Sequence, residues 1–412
     1  MRNFRSFRIT TKDELTFFAE EVLNLEGFFV KKLSFYDRAR ICLDKRLDIG
    51  NSLLNRFGHI YIQDLSSMLP PLMLAPKKGA LVLDLCASPG GKGSILSELV
   101  GSYGIVVANE PVKKRYMTLK KNIERLNLFN VVTTCYKGEE YPETTLFDYV
   151  LLDVPCSGWG TADKNPTVLK LWQGNRLEPL IKLQRRLLKK GFSLLKPGGK
   201  LIYSTCTTNF AENQQQIMWA LKEFSFDLIP LHPVDGFSYD PENPMPETLA
   251  IRGHRYYSQG FFIACLEKKE TIPSSTTSFS KLNSHKQFIN QCMIFDYLTD
   301  LGLDCSEISH GLFYRVNENV FYLPMVFENL ISEGLFIGRL KKDRFIPSLN
   351  LWKLMNKNMK NVIQVDNINE IKRLLNGESL NVSSNNKYLQ LFFKDLPLCL
   401  VSVKNGRCLI TR

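Results

Sequence analysis

Between residues 61 and 268, short and nearly unbroken apolar runs alternate with longer stretches whose apolar positions recur every three or four residues. The runs at 80–85, 104–108, 131–134, 148–153, 199–203 and 260–266 have the length and branched-residue content of buried strands. Helical periodicity fills the intervals near 93–100, 112–127, 176–195 and 211–223. This alternation predicts an α/β fold with a parallel, doubly wound sheet, whose ligands sit at the carboxyl ends of the strands.

The flanks follow other patterns. Residues 1–60 mix helical and short strand signals, with Lys31, Lys32, Arg38, Arg40, Lys45 and Arg46 in the second half, and are expected to form a small domain that grips substrate. The run EKKETIPSSTTSFSKLNS is rich in Ser and Thr, so residues 269–284 read as a linker after a catalytic domain over 61–268. Strand-like runs at 319–324 and 335–338 and the basic group Arg339, Lys341, Lys342 and Arg344 point to a mixed or β-rich domain over 285–412.

Charge narrows the partner. Lys and Arg total 53 against 41 Asp and Glu in 412 residues, a formal charge of +12 that favours a polyanion. Ten cysteines stand singly without a CxxC pair, which argues against a disulfide framework or zinc ribbon and leaves the thiols reduced. The amino terminus lacks the apolar core of a signal peptide, and the most apolar stretch, LSSMLPPLMLAP, is broken by prolines. A cytoplasmic protein is expected, with no metal and no membrane span.

Three strand ends carry the chemistry. The first strand runs into Cys86, Ala87, Ser88, Pro89, Gly90, Gly91 and Lys92, a Gly-Gly turn that opens a helix and so aims backbone N–H groups at a carboxylate or phosphate. It lacks the GxGxxG and GxxxxGK[ST] patterns and suits the methionyl carboxylate of S-adenosylmethionine. Glu110, 19 positions after Gly91 at the next strand end, is placed to accept hydrogen bonds from ribose hydroxyls. Asp153-Val154-Pro155-Cys156 and Ser204-Thr205-Cys206-Thr207 end two further strands. Carbon 5 of a pyrimidine is a poor nucleophile until a thiolate adds at carbon 6, so a cysteine at such a crevice suggests carbon methylation through a covalent adduct. A carboxyl such as Asp153 can protonate or strongly hydrogen-bond ring nitrogen 3. Chemistry alone leaves open which of Cys156 and Cys206 adds to the ring.

Gln63–Met68, Cys86–Lys92, Asp153–Gly158, Tyr203–Cys206 and Glu212-Asn213 together resemble the Nop/Sun-type RNA 5-methylcytosine methyltransferases. Residues 334–348, reading GLFIGRLKKDRFIPS, resemble the bacterial ribosomal RNA branch, whose carboxyl-terminal part is a PUA-like RNA-binding module. The resemblance implies Cys206 as nucleophile, Cys156 in product release, and Asp153 with Lys92 orienting the cytosine. It also implies donor contacts from Cys86, Ala87, Ser88, Pro89, Gly90, Gly91, Lys92, Glu110 and Asp153, with S-adenosylmethionine as cofactor. There is one departure: Lys137 stands where the family has an adenosine-contacting acid, leaving Glu139 or Glu140 to substitute.

The expected partner is RNA, ribosomal before transfer RNA, bound by a monomer. Arg339, Lys341, Lys342 and Arg344, beside Phe336 and Phe345, form the expected RNA platform. A DNA cytosine methyltransferase of familiar type would use the Pro-Cys thiol and is disfavoured by Ser204-Thr205-Cys206. A non-catalytic RNA-binding assembly factor is disfavoured by the intact Cys156, Cys206, Asp153 and Lys92.

Overall fold

The computed structural model describes residues 4–44, 47–162, 165–172, 174–254, 258–269, 286–342 and 344–410. Strands β1 (Arg5–Ile9), β2 (Val30–Lys32), β3 (Ala39–Cys42) and β4 (Ile60–Ile62) pair in the order β2-β3-β1-β4, with helices α1 (Thr16–Leu25) and α2 (Leu53–Phe57) between them. Phe7, Ile9, Val22, Leu23 and Leu54 share one buried cluster with Ile371, Leu391, Phe393 and Leu398 from the far end of the chain. Here the expected basic patch comes apart. Arg40 is buried and pairs with Glu20 at 2.6 Å, and Arg38 pairs with Asp13 at 2.5 Å, so both hold the fold together. Lys45 and Arg46 lie outside the described residues.

Helix α3 (Leu65–Leu74) leads into the central sheet. Its strands are β5 (Leu81–Asp84), β6 (Ile105–Asn109), β7 (Val131–Thr134), β8 (Phe147–Asp153), β9 (Leu195–Thr205), β10 (Phe226–Ile229), β11 (Phe237–Tyr239), β12 (Leu249–His254) and β13 (Phe261–Lys268). The order is β11-β12-β13-β9-β8-β5-β6-β7, with β10 on β13; β9 through β7 run parallel and β13 is antiparallel to β9. Helices α4 (Gly91–Val100), α5 (Lys113–Arg125), α6 (Thr167–Leu171), α7 (Glu178–Leu194) and α8 (Gln214–Glu223) lie between the strands. Successive connections leave β5 in opposite directions, toward β6 and toward β8, so a crevice opens between β5 and β8 at their carboxyl ends. The doubly wound sheet expected from the apolar runs is present.

After residue 285 a five-stranded sheet, β14 (Gln287–Phe288), β15 (Leu312–Val316), β16 (Asn319–Leu323), β17 (Leu335–Lys341) and β18 (Arg344–Pro347), is followed by a second of five strands spanning Val362–Leu409. Residues 270–284 of the expected linker lie outside the described residues. The carboxyl-terminal part seals the edge of the central sheet: the Thr133 and Glu333 backbones exchange two hydrogen bonds of 2.8 Å beside edge strand β7. Trp352 Nε1 donates to the Arg125 carbonyl at 3.2 Å, at the end of α5, and its ring lies 4.3 Å from that of buried His59. Burial drives the His59 pKa down to about 3, so its neutral ring donates from Nε2 to the Pro397 carbonyl at 2.6 Å.

Candidate active site

The loop after β5 turns sharply. Gly90 has φ +106°, a conformation that disfavours any side chain, and its N–H closes the turn on the Ala87 carbonyl at 2.7 Å. Gly91 is required for a different reason: a Cβ there would lie 2.8 Å from the Tyr61 ring and 3.2 Å from the Gln63 side chain. The end of β4 and the residue after it are therefore packed directly on the helix start, and both lean into one cavity of about 210 Å³. Tyr61, Gln63, Asp64, Ser67, Asp84, Cys86, Ala87, Ser88, Pro89, Gly91, Lys92, Asp153 and Gln259 contribute to its wall. Asp64 caps α3 by accepting from the Ser66 N–H at 3.2 Å and also accepts from the Gln259 N–H, which fixes the wall opposite the loop.

Two side chains missed by sequence reasoning stand out. Asp84 is completely buried, with neither carboxyl oxygen in a hydrogen bond of good geometry, and Gln63 Oε1 is likewise buried and unpaired. Burial pushes the Asp84 pKa up to about 7, partly offset by the Lys92 ammonium and the Cys86 amide. Unpaired acceptors in a cavity suit a ligand carrying N–H donors. The signal for Asp84 in the sequence is the acid closing the apolar run LVLD, the same position that Asp153 holds in YVLLD.

Glu110 is also buried, but it faces the start of α5: one oxygen accepts from the Val112 N–H at 3.0 Å and the other pairs with Arg115 at 3.4 Å. Glu140 pairs with Lys137 at 3.1 Å on the surface, and neither it nor Glu139 is among the residues walling the cavity.

At the mouth of the cavity the catalytic candidates converge. Lys92 Nζ donates to Asp153 Oδ2 at 2.7 Å and to Ser67 Oγ at 2.8 Å, and lies 5.3 Å from the Phe261 ring centre. Asp153 Oδ1 accepts from Ser204 Oγ at 2.9 Å. Both Asp153 oxygens thus accept from fixed neighbours. Cys156 and Cys206 stand with their Sγ atoms 3.1 Å apart, both as free thiols. The hydrogen bond from Cys156 and the Lys92 charge lower the Cys206 pKa, against burial and Asp153, whereas Cys156 is pushed well up. The hydrogen bond with Cys206 and burial raise Cys156 most, and the charges of Asp153 and Glu212 add to them.

The basic group of the tail is elsewhere. Arg339, Lys341, Lys342 and Arg344 are exposed on the β17–β18 hairpin, and Lys341 pairs with Glu318 at 3.5 Å. Phe345 is only 2% exposed and packs against Tyr297, so it is a core residue and offers no stacking face; Phe336 is half-buried against Phe321.

Comparison with known proteins fits this geometry. The profile of the 16S rRNA methyltransferase RsmB/F family matches residues 71–267. A ribosomal RNA small subunit methyltransferase F from Shewanella loihica is 32% identical over 365 residues, covering 83% of this chain and 73% of the relative. The chain belongs to the RsmB/F methyltransferase family. A relative of the same description from Salmonella agona is 36% identical over 76% of this chain, which spans 64% of that protein's length. Among solved structures, a methyltransferase homologue from Pyrococcus horikoshii is 32% identical with a TM-score of 0.54, covering 65% of this chain and 87% of its own. NSun6 from the same organism, solved with SFG, shares the fold at 20% identity and a TM-score of 0.57, covering 65% of this chain and 91% of its own. S-adenosylmethionine is accordingly the cofactor, and the cavity suits it: Asp84 and Gln63 offer acceptors for its ammonium, and the start of α4 offers N–H groups for its carboxylate.

Proposed function

We propose that the protein methylates carbon 5 of a cytosine in RNA, ribosomal RNA before transfer RNA, with Cys206 as nucleophile and Cys156 as the thiol that eases its departure. The observation that carries this reading is the 3.1 Å contact between two free thiols beside the Lys92–Asp153 pair. S-adenosylmethionine, when bound, supplies an electrophilic methyl group on a sulfonium sulfur.

The residues divide the work as follows. Cys206 sulfur adds to carbon 6, and the displaced carbon–carbon π pair moves into the ring toward nitrogen 3. Lys92 keeps one N–H beyond those used on Ser67 and Asp153, and that proton can meet the growing negative charge. Asp153 accepts from the exocyclic amino group and so favours cytosine over uracil. After methyl transfer carbon 5 gives its proton to water, the carbon–sulfur bond breaks with its electron pair returning to Cys206, and the ring double bond re-forms. The Cys156 S–H, still facing Cys206, hydrogen-bonds the departing thiolate. Residues 285–412 would hold RNA through phosphate contacts from Arg339, Lys342 and Arg344, with 1–60 and 61–268 as the amino-terminal and catalytic units.

The test is a pair of variants assayed with tritiated donor and ribosomal, transfer and DNA substrates. Cys206→Ala should abolish methyl transfer to RNA and any adduct with RNA containing 5-azacytidine. Cys156→Ala should permit addition but stall release, so protein remains covalently bound to ordinary RNA on a denaturing gel. The reversed pattern would exchange the two roles.

A further inference from the structure

The thiol assigned to release sits on a loop with no helix or strand of its own, between β8 and the turn at Trp159, so something else must fix its direction. The residues on both sides of it converge on one buried carboxylate. Glu212 is fully buried, in the single turn Phe210–Glu212 before α8. Its Oε1 accepts from the Ser157 N–H at 2.9 Å and from Gln184 Nε2 at 2.9 Å, and its Oε2 accepts from the Ser157 hydroxyl. The same Gln184 nitrogen donates to the Pro155 carbonyl at 2.9 Å. Pro155 and Ser157 flank Cys156, and each is therefore tied to Glu212 directly or through Gln184.

The other thiol is tied to the same residue. Tyr203, three residues before Cys206, donates its hydroxyl to the Glu212 backbone carbonyl at 2.6 Å. Thr207, directly after Cys206, meets the Ser157 hydroxyl at 2.8 Å. Among the described residues no cation pairs with Glu212; such a buried carboxylate is expensive to keep, and three donors aimed at it from α7 and the Cys156 loop are what make it tolerable. A hydrophobic group would fill the same space at lower cost, which argues for a task.

We propose that Glu212 is a positioning residue for the reaction: it locks the Cys156 loop so that the Cys156 S–H points at Cys206 for the release step. This rests on the cysteine roles given above. The Cys156 pKa is raised chiefly by its hydrogen bond with Cys206 and by burial, and the Glu212 charge adds a smaller push in the same direction.

Glu212→Gln keeps the shape but removes the charge and one acceptor. With ordinary ribosomal RNA and donor, release should slow by about tenfold to a hundredfold, the effect of losing a charge-assisted hydrogen bond. Covalent protein–RNA complex should then build up on a denaturing gel, while donor affinity by calorimetry stays unchanged. The alkaline limb of the rate profile should also move to lower pH, because Cys156 ionises more readily without the neighbouring charge. Ser157→Ala, which retains the backbone N–H bond, should show the same accumulation to a smaller degree and serves if Glu212→Gln fails to fold. Accumulation in Cys156→Ala but in neither of these variants would overturn the role of Glu212 and leave the cysteine assignment standing. Absence of accumulation in Cys156→Ala itself would instead overturn the cysteine assignment.

Discussion

The crevice between β5 and β8 and the β17–β18 hairpin both carry concentrated charge, and they use it in opposite ways. Lys92 and Asp153 have side chains 11% and 29% exposed, and each makes two hydrogen bonds to fixed neighbours. On the hairpin the four cations stand in solvent, and the Lys341–Glu318 pair has side chains 49% and 58% exposed at 3.5 Å. A charge half-withdrawn from water and pinned by packing acts on a nearby atom with little screening, so its position matters. An exposed charge is screened within about 8 Å at physiological salt and contributes mainly by number. The first arrangement can steer a reaction; the second can hold a polyanion.

The widest separation between the two regions should come from Lys92→Met against the quadruple replacement of Arg339, Lys341, Lys342 and Arg344 by Ala. On the proposed mechanism, loss of Lys92 removes the donor that meets the charge growing on the ring and leaves Asp153 without its cation, so kcat should fall by roughly a hundredfold to a thousandfold. Single-turnover rates at saturating RNA measure it, with a thermal melt to confirm folding. The hairpin variant should keep its single-turnover rate at saturation and bind RNA more weakly. A large fall in that rate for the hairpin variant would erase the contrast.

The hairpin should announce itself through salt. If it neutralises phosphates of single-stranded RNA, the slope of log affinity against log salt should shrink by about 0.7 for every phosphate that the variant no longer neutralises. Lys341→Ala should change it less than Arg339→Ala, because Lys341 already shares its charge with Glu318. Equal slopes in the wild type and the quadruple variant would make these cations ordinary surface charge.

The same contrast explains what could be read from the sequence. The apolar runs at 148–153 and 199–203 are buried strands whose ends are set by sheet register, so pairing Asp153 with Ser204 brings Cys156 and Cys206 together. Local patterns and strand geometry sufficed there. Asp84 escaped notice because its importance lies in missing partners, and a missing hydrogen bond has no sequence pattern. Glu212 could be seen beside Asn213, but its ties to the Cys156 loop run to Ser157, 55 residues away, and through Gln184, 28 residues away on α7. Arg40 and Phe345 depart from expectation for one reason: charge and aromatic type indicate surface function only when the side chain is exposed, and register buries both.

Asp84 gives the smallest and most specific effect. Its carboxyl is raised to about 7 by burial, so in the free protein it carries a proton through much of the acidic range. A raised acid stabilises the fold fully below its unfolded pKa near 3.9, and that contribution is lost as pH rises through about 7. Donor binding has the opposite sign, because the ammonium of S-adenosylmethionine favours the ionised carboxylate. Below pH 7 binding must therefore expel a proton, and affinity should climb by up to about tenfold per pH unit before levelling off above that point. Calorimetry at pH 6 in two buffers of different ionisation enthalpy should show close to one proton released on binding. Asp84→Asn should bind more weakly at pH 8 and lose both the proton release and the pH dependence. A wild-type affinity that is flat from pH 6 to 8 would mean that the ammonium is held elsewhere, leaving Gln63 Oε1 as the remaining unpaired acceptor in the cavity wall.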